Sequence, residues 1–132
     1  MLTNEMLLQI AMEASKNAYV PYSHFHVGAA VECSDGTVFT GCNVENASYG
    51  STNCGERTAM FKAVSEGHKD FVRIAIYSPD GEDYAMPCGI CRQVMAEFNY
   101  DMEIIISKAN GEFKVMTLRQ LLPEAFTPES LK

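Results

Sequence analysis

From residue 54 onward the chain alternates between two patterns that no single kind of element can satisfy. FVRIAIYS (71–78) and MEIIISK (102–108) are short apolar runs rich in β-branched residues, which read as strands. PCGICRQVMAEFN (87–99) lies between them with helical spacing, and a further helix is expected from near Cys54 through ERTAMFKAVSEG to a stop at Gly67. Strand, helix and strand in that order imply a parallel pair joined by a right-handed crossover.

The upstream half supplies the other layers. Residues 3–18 place Met6, Leu7, Ile10, Ala11, Ala14 and Ala18 on one helical face behind Thr3 or Asn4 as N-cap, and VPYSHF breaks the helix at Pro21. VGAAVEC and TVFTGCNV flank SDG, the turn chemistry of a tight hairpin. Centring the turn on Asp35 and Gly36 sets Cys33 opposite Val38 and Cys42 opposite Ala29, so the two cysteines are not cross-strand partners. Asn110-Gly111 folds a last strand, EFKVMTL, back antiparallel, and RQLLPEAF gives a short helix broken at Pro123. The expected architecture is one domain over residues 1–132, a three-layer α/β/α arrangement with a mixed sheet of about five strands. In such sheets ligands sit at helix N-termini and the adjoining strand ends.

Charge and cysteine usage narrow the classes of function. The net charge is −7 and the ten Lys and Arg are scattered, so no basic stripe exists to neutralise a phosphate backbone, and long nucleic acids are not expected partners. The opening MLTNEMLLQIAMEASKN carries Glu5, Glu13 and Lys16 in a helical pattern, without the features of an export leader or a membrane span, so a cytoplasmic protein is expected. Five cysteines, an odd number, then imply reduced thiols rather than a disulfide framework.

Cys88 and Cys91 form a C-x-x-C at the start of a helix. Such a pair can be a redox couple, two inert buried thiols, or part of a metal site. The redox reading expects the pair after the first strand of a βαβ unit, whereas here it comes late and a third cysteine, Cys54, heads the other long helix. Three cysteines at two helix starts can converge on one tetrahedral ion, and three protein ligands leave the fourth position for water, as catalysis requires. Glu56 follows two residues after Cys54; if Cys54 opens the helix, that carboxylate can stand beside the site without ligating the metal and can move protons. Read alone, Glu56 is a first-turn acid favoured by the helix dipole.

Cys54-Gly55-Glu56 with Pro87-Cys88-Gly89-Ile90-Cys91 matches the ligand-x-Glu and Pro-Cys-x-x-Cys pattern of zinc deaminases in its three-cysteine form. The likeness extends through VPYSHFHVGAA, GCNVENASYG, NCGERTAMFKAVSEG, PCGICRQVMAEF and LLPEAF, so the chain resembles the small homotetrameric cytidine deaminases along nearly its whole length. The resemblance implies one Zn²⁺ per subunit and hydrolysis of cytidine and 2′-deoxycytidine to uridine and 2′-deoxyuridine with release of ammonia, a pyrimidine-salvage reaction. It assigns Glu56 to protonate N3 while hydroxide attacks C4, and then to carry a proton to the leaving amine.

The same resemblance gives Arg57 a hydrogen bond to ligand sulfurs, offsetting the excess negative charge of three thiolates. Asn43 and Glu45 would bind the ribose 3′-hydroxyl, Phe25 would pack on the pyrimidine, and the Gly55 amide would contact the base. Phe126 would enter a neighbouring subunit's pocket, so that active sites are shared within a homotetramer. From the residues alone, Arg57 is a solvated helix residue, Asn43 and Glu45 a polar strand end, and Phe25 a core aromatic. Glu124 stands where the family often has Gly. Cys33 and Cys42 read as small buried hydrophobes, His24 and His26 as loop residues, and the charges of SEGHKD as a solvated helix end. Two alternatives stand beside the leading reading: a deaminase of a cytosine nucleoside antibiotic such as blasticidin S, and a structural-zinc module, which would close its metal with a fourth ligand and need no Glu56.

Overall fold

The computed structural model describes residues 2–132. Its elements are α1 (Asn4–Ser15), β1 (Gly28–Cys33), β2 (Val38–Cys42), α2 (Gly55–Ser65), β3 (Phe71–Tyr77), α3 (Gly89–Phe98), β4 (Glu103–Ser107), β5 (Phe113–Thr117) and α4 (Leu118–Leu121). Short 3₁₀ turns at Tyr49–Ser51 and Pro128–Leu131 were outside the sequence expectation. The strands form one sheet in the order β2-β1-β3-β4-β5. Only β3 and β4 run parallel, joined across α3, so the mixed sheet of five strands and its crossover are as expected.

Alternation along the strands divides the core into two faces. Ala30, Ala75 and Ile105 lie in register across the three central strands and pack against Leu7, Leu8 and Ala11 of α1. On the opposite face Val31, Ile74 and Ile104 form one row and Ala29, Ile76 and Ile106 another, covered by Ala59, Met60 and Ala63 of α2 and Met95 of α3. Helix, sheet and helices are therefore stacked in three layers, as the sequence implied.

Two local expectations are corrected. In the first hairpin Gly28 pairs with Cys42 and Glu32 with Val38, so Cys33 faces Thr37 and Ala29 faces Gly41, one residue away from the expected register. The cause is a three-residue turn: the Gly36 N–H donates to the Cys33 carbonyl at 2.9 Å, and Gly36 takes φ +90°, the left-handed residue that completes a type I turn with a bulge. Cys33 and Cys42 remain unpartnered. The buried face of α1 is also rotated: Leu7, Leu8, Ala11 and Ser15 point inward while Met6 is 49% exposed, and the helix ends at Ser15 rather than near residue 18.

Backbone contact between α1 and β1 explains that rotation. A Cβ on Gly28 would lie 2.0 Å from the Ala11 carbonyl oxygen and 2.4 Å from the Ser15 nitrogen, so the helix rests directly on the strand through small residues. Gly28→Ala must push α1 off the sheet and is expected to destabilise the protein by about 3 kcal/mol, the upper end of ordinary overpacking costs. A thermal melt showing less than about 1 kcal/mol of loss would contradict this packing.

Elsewhere the expected boundaries hold. Thr3 caps α1, with its hydroxyl accepting from the Met6 N–H at 3.1 Å, and Gly67 at φ +89° follows the end of α2. Glu124 sits at φ +53°, a left-handed conformation, which accounts physically for a position where glycine serves well. His68 is half-buried rather than part of a solvated end, with Nε2 3.2 Å from Asp35 Oδ2 and its ring 5.1 Å from that of Phe39.

The strand directions gather the chemistry on one edge. Gly28, where β1 begins, pairs with Cys42 at the end of β2 and with Tyr77 at the end of β3. The segments 24–27, 43–45 and 78–88 and the N-termini of α2 and α3 therefore meet at one end of the sheet.

Candidate active site

Each of the three cysteines owes its place to a helix start. Cys54 is the N-cap of α2 and Cys88 the N-cap of α3, both in extended conformation, while Cys91 lies in the first turn of α3 and is fully buried. Their sulfurs all lie within 4.8 Å of one another, and Cys54 Sγ and Cys88 Sγ are 3.6 Å apart. Four sulfurs around zinc at about 2.3 Å would be spaced about 3.8 Å apart, so three of the four corners of such a tetrahedron are preformed here. Neither Cys33 nor Cys42 belongs to the cluster.

The surroundings favour a thiolate at Cys54. The Cys91 N–H donates to Cys88 Sγ at 3.4 Å, and Arg57 Nη2 donates to Cys54 Sγ at 3.2 Å. A hydrogen bond from Cys91 and the Arg57 guanidinium hold the Cys54 thiol down at about 5, against the opposing effect of burial. Without a metal Cys91 keeps its own thiol proton, raised by that same bond with Cys54 and by burial. Arg57 Nε is buried with no hydrogen-bond partner among the described residues, so the guanidinium is committed to the sulfur cluster rather than to solvent. This overturns the reading of Arg57 as a solvated helix residue.

Because Cys54 is the cap, Glu56 occupies the second residue of α2 and both side chains reach one pocket. Glu56 is only 4% exposed. Burial pushes its carboxyl up to about 7, the Cys54 thiolate adds to the rise, and a bond with Cys91 and the charge of Arg57 oppose it. A carboxyl near neutrality can both accept and return a proton. Donor set, charge compensation and adjacent acid together fit a metal that activates water.

A cavity of about 250 Å³ opens on this cluster, lined by Phe25, Asn43, Cys54, Gly55, Glu56 and Cys88 together with Val27, Ile76, Tyr84, Ala85 and Met86. Phe25 is 42% exposed at its wall, so it is not a core residue. Asn43 ties down the adjoining chain: its Nδ2 donates to the Phe25 carbonyl at 2.7 Å and its Oδ1 accepts from the Val27 N–H at 2.9 Å. Gly55 is the first residue of α2. A Cβ there would come within 3.2 Å of the Val27 carbonyl oxygen, so a side chain would crowd the cavity wall.

Two expected residues stand apart from this cavity. Glu45 is not in its lining; its carboxylate accepts from the Tyr22 and Ser23 N–H groups at 3.0 and 3.1 Å and from the Ser23 hydroxyl, and these bonds hold its pKa below the usual range. Phe126 is 60% exposed on the C-terminal segment, where Gln93 Nε2 donates to its carbonyl at 2.8 Å. Conversely, Val27, Ile76, Tyr84, Ala85 and Met86 line the cavity without having been singled out. Proximity to Pro87-Cys88 was the one signal available for Tyr84 and Met86, and position at the end of a parallel strand the signal for Ile76.

Known proteins place this arrangement in a family. The profile of the cytidine and deoxycytidylate deaminase zinc-binding region matches residues 1–108. A cytidine deaminase from Halalkalibacterium halodurans is 49% identical over 131 residues, spanning 98% of each chain. A blasticidin-S deaminase from Bacillus cereus is 30% identical over 128 residues, 92% of this chain and 90% of that one. The crystal structure of cytidine deaminase from Burkholderia pseudomallei superposes with a TM-score of 0.91 at 44% identity, covering 95% of this chain and 100% of the other. With the match extending through every segment that builds the cavity, the chain belongs to the cytidine and deoxycytidylate deaminase family of zinc-binding proteins.

Proposed function

We propose that this protein is a zinc-dependent cytidine deaminase acting on cytidine and 2′-deoxycytidine. The observation that carries the reading is a buried carboxyl poised near neutrality, Glu56, on the wall of a cavity that also holds the thiol cluster. A structural-zinc module has no use for such a group. The antibiotic-deaminase alternative is the weaker one, since the relative of that name is 30% identical and the cytidine deaminase 49%.

Cys54, Cys88 and Cys91 would hold the zinc, which when bound lowers the pKa of a water toward neutrality. Glu56 takes a proton from the attacking water and delivers it to N3 of the base. The hydroxide so formed adds at C4; Glu56 then takes the proton of the new C4 hydroxyl and passes it to the amino group, so that the C4–N bond breaks, ammonia leaves and C4 keeps the oxygen as the uracil carbonyl. The Gly55 N–H, in the first turn of α2 and so without an intrahelical acceptor, is assigned to the base on the strength of the family resemblance. Phe25 packs on the ring, and Asn43 and Glu45 are assigned to the ribose 3′-hydroxyl on the strength of the family resemblance. A cavity of about 250 Å³ and an acidic net charge together suit a single nucleoside rather than a strand.

Residues 1–132 act in this reading as one domain of a homotetramer, with Phe126 reaching a neighbour's pocket. Its exposure at 60% supports that assignment. Among the described residues no helix is long and apolar enough to cross a membrane, and a cytoplasmic role in pyrimidine salvage is the setting we propose.

Arg57→Ala is expected to keep the fold and to lower zinc retention about 10- to 100-fold, the usual cost of losing a group that supports a metal ligand. Competition with a chelator would measure it; an unchanged zinc affinity together with unchanged turnover would reject the role. The function itself is tested by incubating the purified protein with cytidine, deoxycytidine, CMP, adenosine and blasticidin S while following ultraviolet absorbance and ammonia. Turnover of the two cytosine nucleosides above all others is expected. Preference for blasticidin S, or no turnover of any, would overturn the assignment.

A further inference from the structure

The segment that carries Phe25 is held from two sides, and only one of them belongs to the residues discussed so far. From the strand side Asn43 bonds the Phe25 carbonyl and the Val27 N–H, as above. From the other side a single carboxylate oxygen, Asp80 Oδ2, accepts from the His26 backbone N–H at 2.8 Å and contacts the His26 ring Nδ1 at 2.8 Å. The two residues are 54 positions apart, so this clamp joins two loops that share no local constraint.

Asp80 is itself fixed before it meets His26. The buried Ser78 hydroxyl accepts from the Asp80 N–H at 3.1 Å and donates to the Asp80 carbonyl at 3.2 Å, closing a small turn at the end of β3. Gly81 follows at φ +88°, and a Cβ there would lie 3.4 Å from Cε1 of Phe25, so the loop also lies against the aromatic ring. That same loop continues into Tyr84, Ala85 and Met86 of the cavity wall and then into Cys88.

We infer that Asp80 is a positioning residue for the deamination proposed above: by clamping His26 it fixes the Phe25 ring at the cavity wall and thereby sets nucleoside affinity. The inference rests on that proposed function. Asp80 touches neither the thiol cluster nor Glu56, so its contribution is to ground-state and transition-state binding alike, which raises KM when lost and leaves kcat in place. Because one oxygen accepts both bonds, an amide oxygen can replace it.

Steady-state kinetics on cytidine, zinc content and amide hydrogen exchange of residues 25–27 would be compared for wild type, Asp80→Ala and Asp80→Asn. Asp80→Ala is expected to raise KM about tenfold, the worth of one aromatic packing contact, with kcat within about twofold and zinc content unchanged. Exchange at His26 should accelerate by about the same factor. Asp80→Asn should restore both values to within about threefold of wild type. Unchanged exchange in Asp80→Ala would show that no clamp exists; faster exchange with unchanged KM would show that the clamp does not set affinity. A fall in zinc content parallel to activity would make Asp80 a stability residue only. Each of these overturns the inference while cytidine turnover by wild type leaves the function standing. A wild-type chain without turnover fails the function first, and the inference with it.

Discussion

Glu56→Gln is expected to lose about 10⁴-fold in kcat, the upper end of general acid–base contributions, because one carboxyl serves both the N3 and the amine proton transfers. The side chain is buried at the wall of the cavity, and glutamine has nearly its shape, so the fold and the zinc content should be retained. Uridine formation measured against zinc content separates this outcome from simple loss of the site; a variant that keeps more than about one-tenth of the activity would sink the mechanism. The substitution also carries a stability signature with a definite sign. In the metal-stripped protein the carboxyl is pushed up to about 7, chiefly by burial, from an ordinary value of 4.5. The folded chain then holds a proton that the unfolded chain releases, so folding stability falls as pH rises between those values. Glu56→Gln removes that fall: its thermal stability should exceed that of wild type at pH 8, and the gap should close at pH 4.

Cys88→Ala is the second large effect. Cys88 is exposed, so its removal leaves little cavity, whereas the fully buried Cys91 would add a packing cost of its own. Two sulfurs cannot complete the tripod, and zinc affinity should fall by more than about 100-fold, beyond the loss of a supporting contact. Activity should follow. Zinc at 100-fold above its dissociation constant stabilises the folded chain by about 2.7 kcal/mol, so a chelator should lower the wild-type melting temperature while leaving Cys88→Ala almost unmoved. Equal chelator sensitivity in the two proteins would place the metal elsewhere.

What the sequence disclosed followed from how local each determinant is. The thiol tripod and Glu56 were legible because each depends on a helix start: Cys54 and Cys88 cap α2 and α3, and the spacing to Glu56 and Cys91 does the rest. The strand and helix order was legible for the same reason, since the unbroken apolar runs Ile74-Ala75-Ile76 and Ile104-Ile105-Ile106 mark strands buried on both faces. The hairpin register was not, because Asp35-Gly36 is compatible with either a two-residue turn or the three-residue turn observed, and the choice depends on Gly36 taking the left-handed position. The buried face of α1 was misplaced since packing onto Gly28 selects small residues such as Ser15, which a search for apolar periodicity passes over. The rest of the cavity wall was illegible for a third reason. Val27, Tyr84 and the His26–Asp80 clamp come together through docking of loops far apart in sequence, and no periodicity reports such contacts.

A three-thiolate metal site with an acid beside it makes this chain a catalyst in the mechanism proposed, not a structural zinc domain. Zinc stoichiometry and cytidine hydrolysis measured on one preparation, before chelation, after it, and after zinc is restored, test that claim most directly. One zinc per chain, turnover that vanishes with the metal, and recovery in proportion to the zinc returned are expected. One firmly held zinc per chain with no hydrolysis of cytidine or deoxycytidine would contradict it.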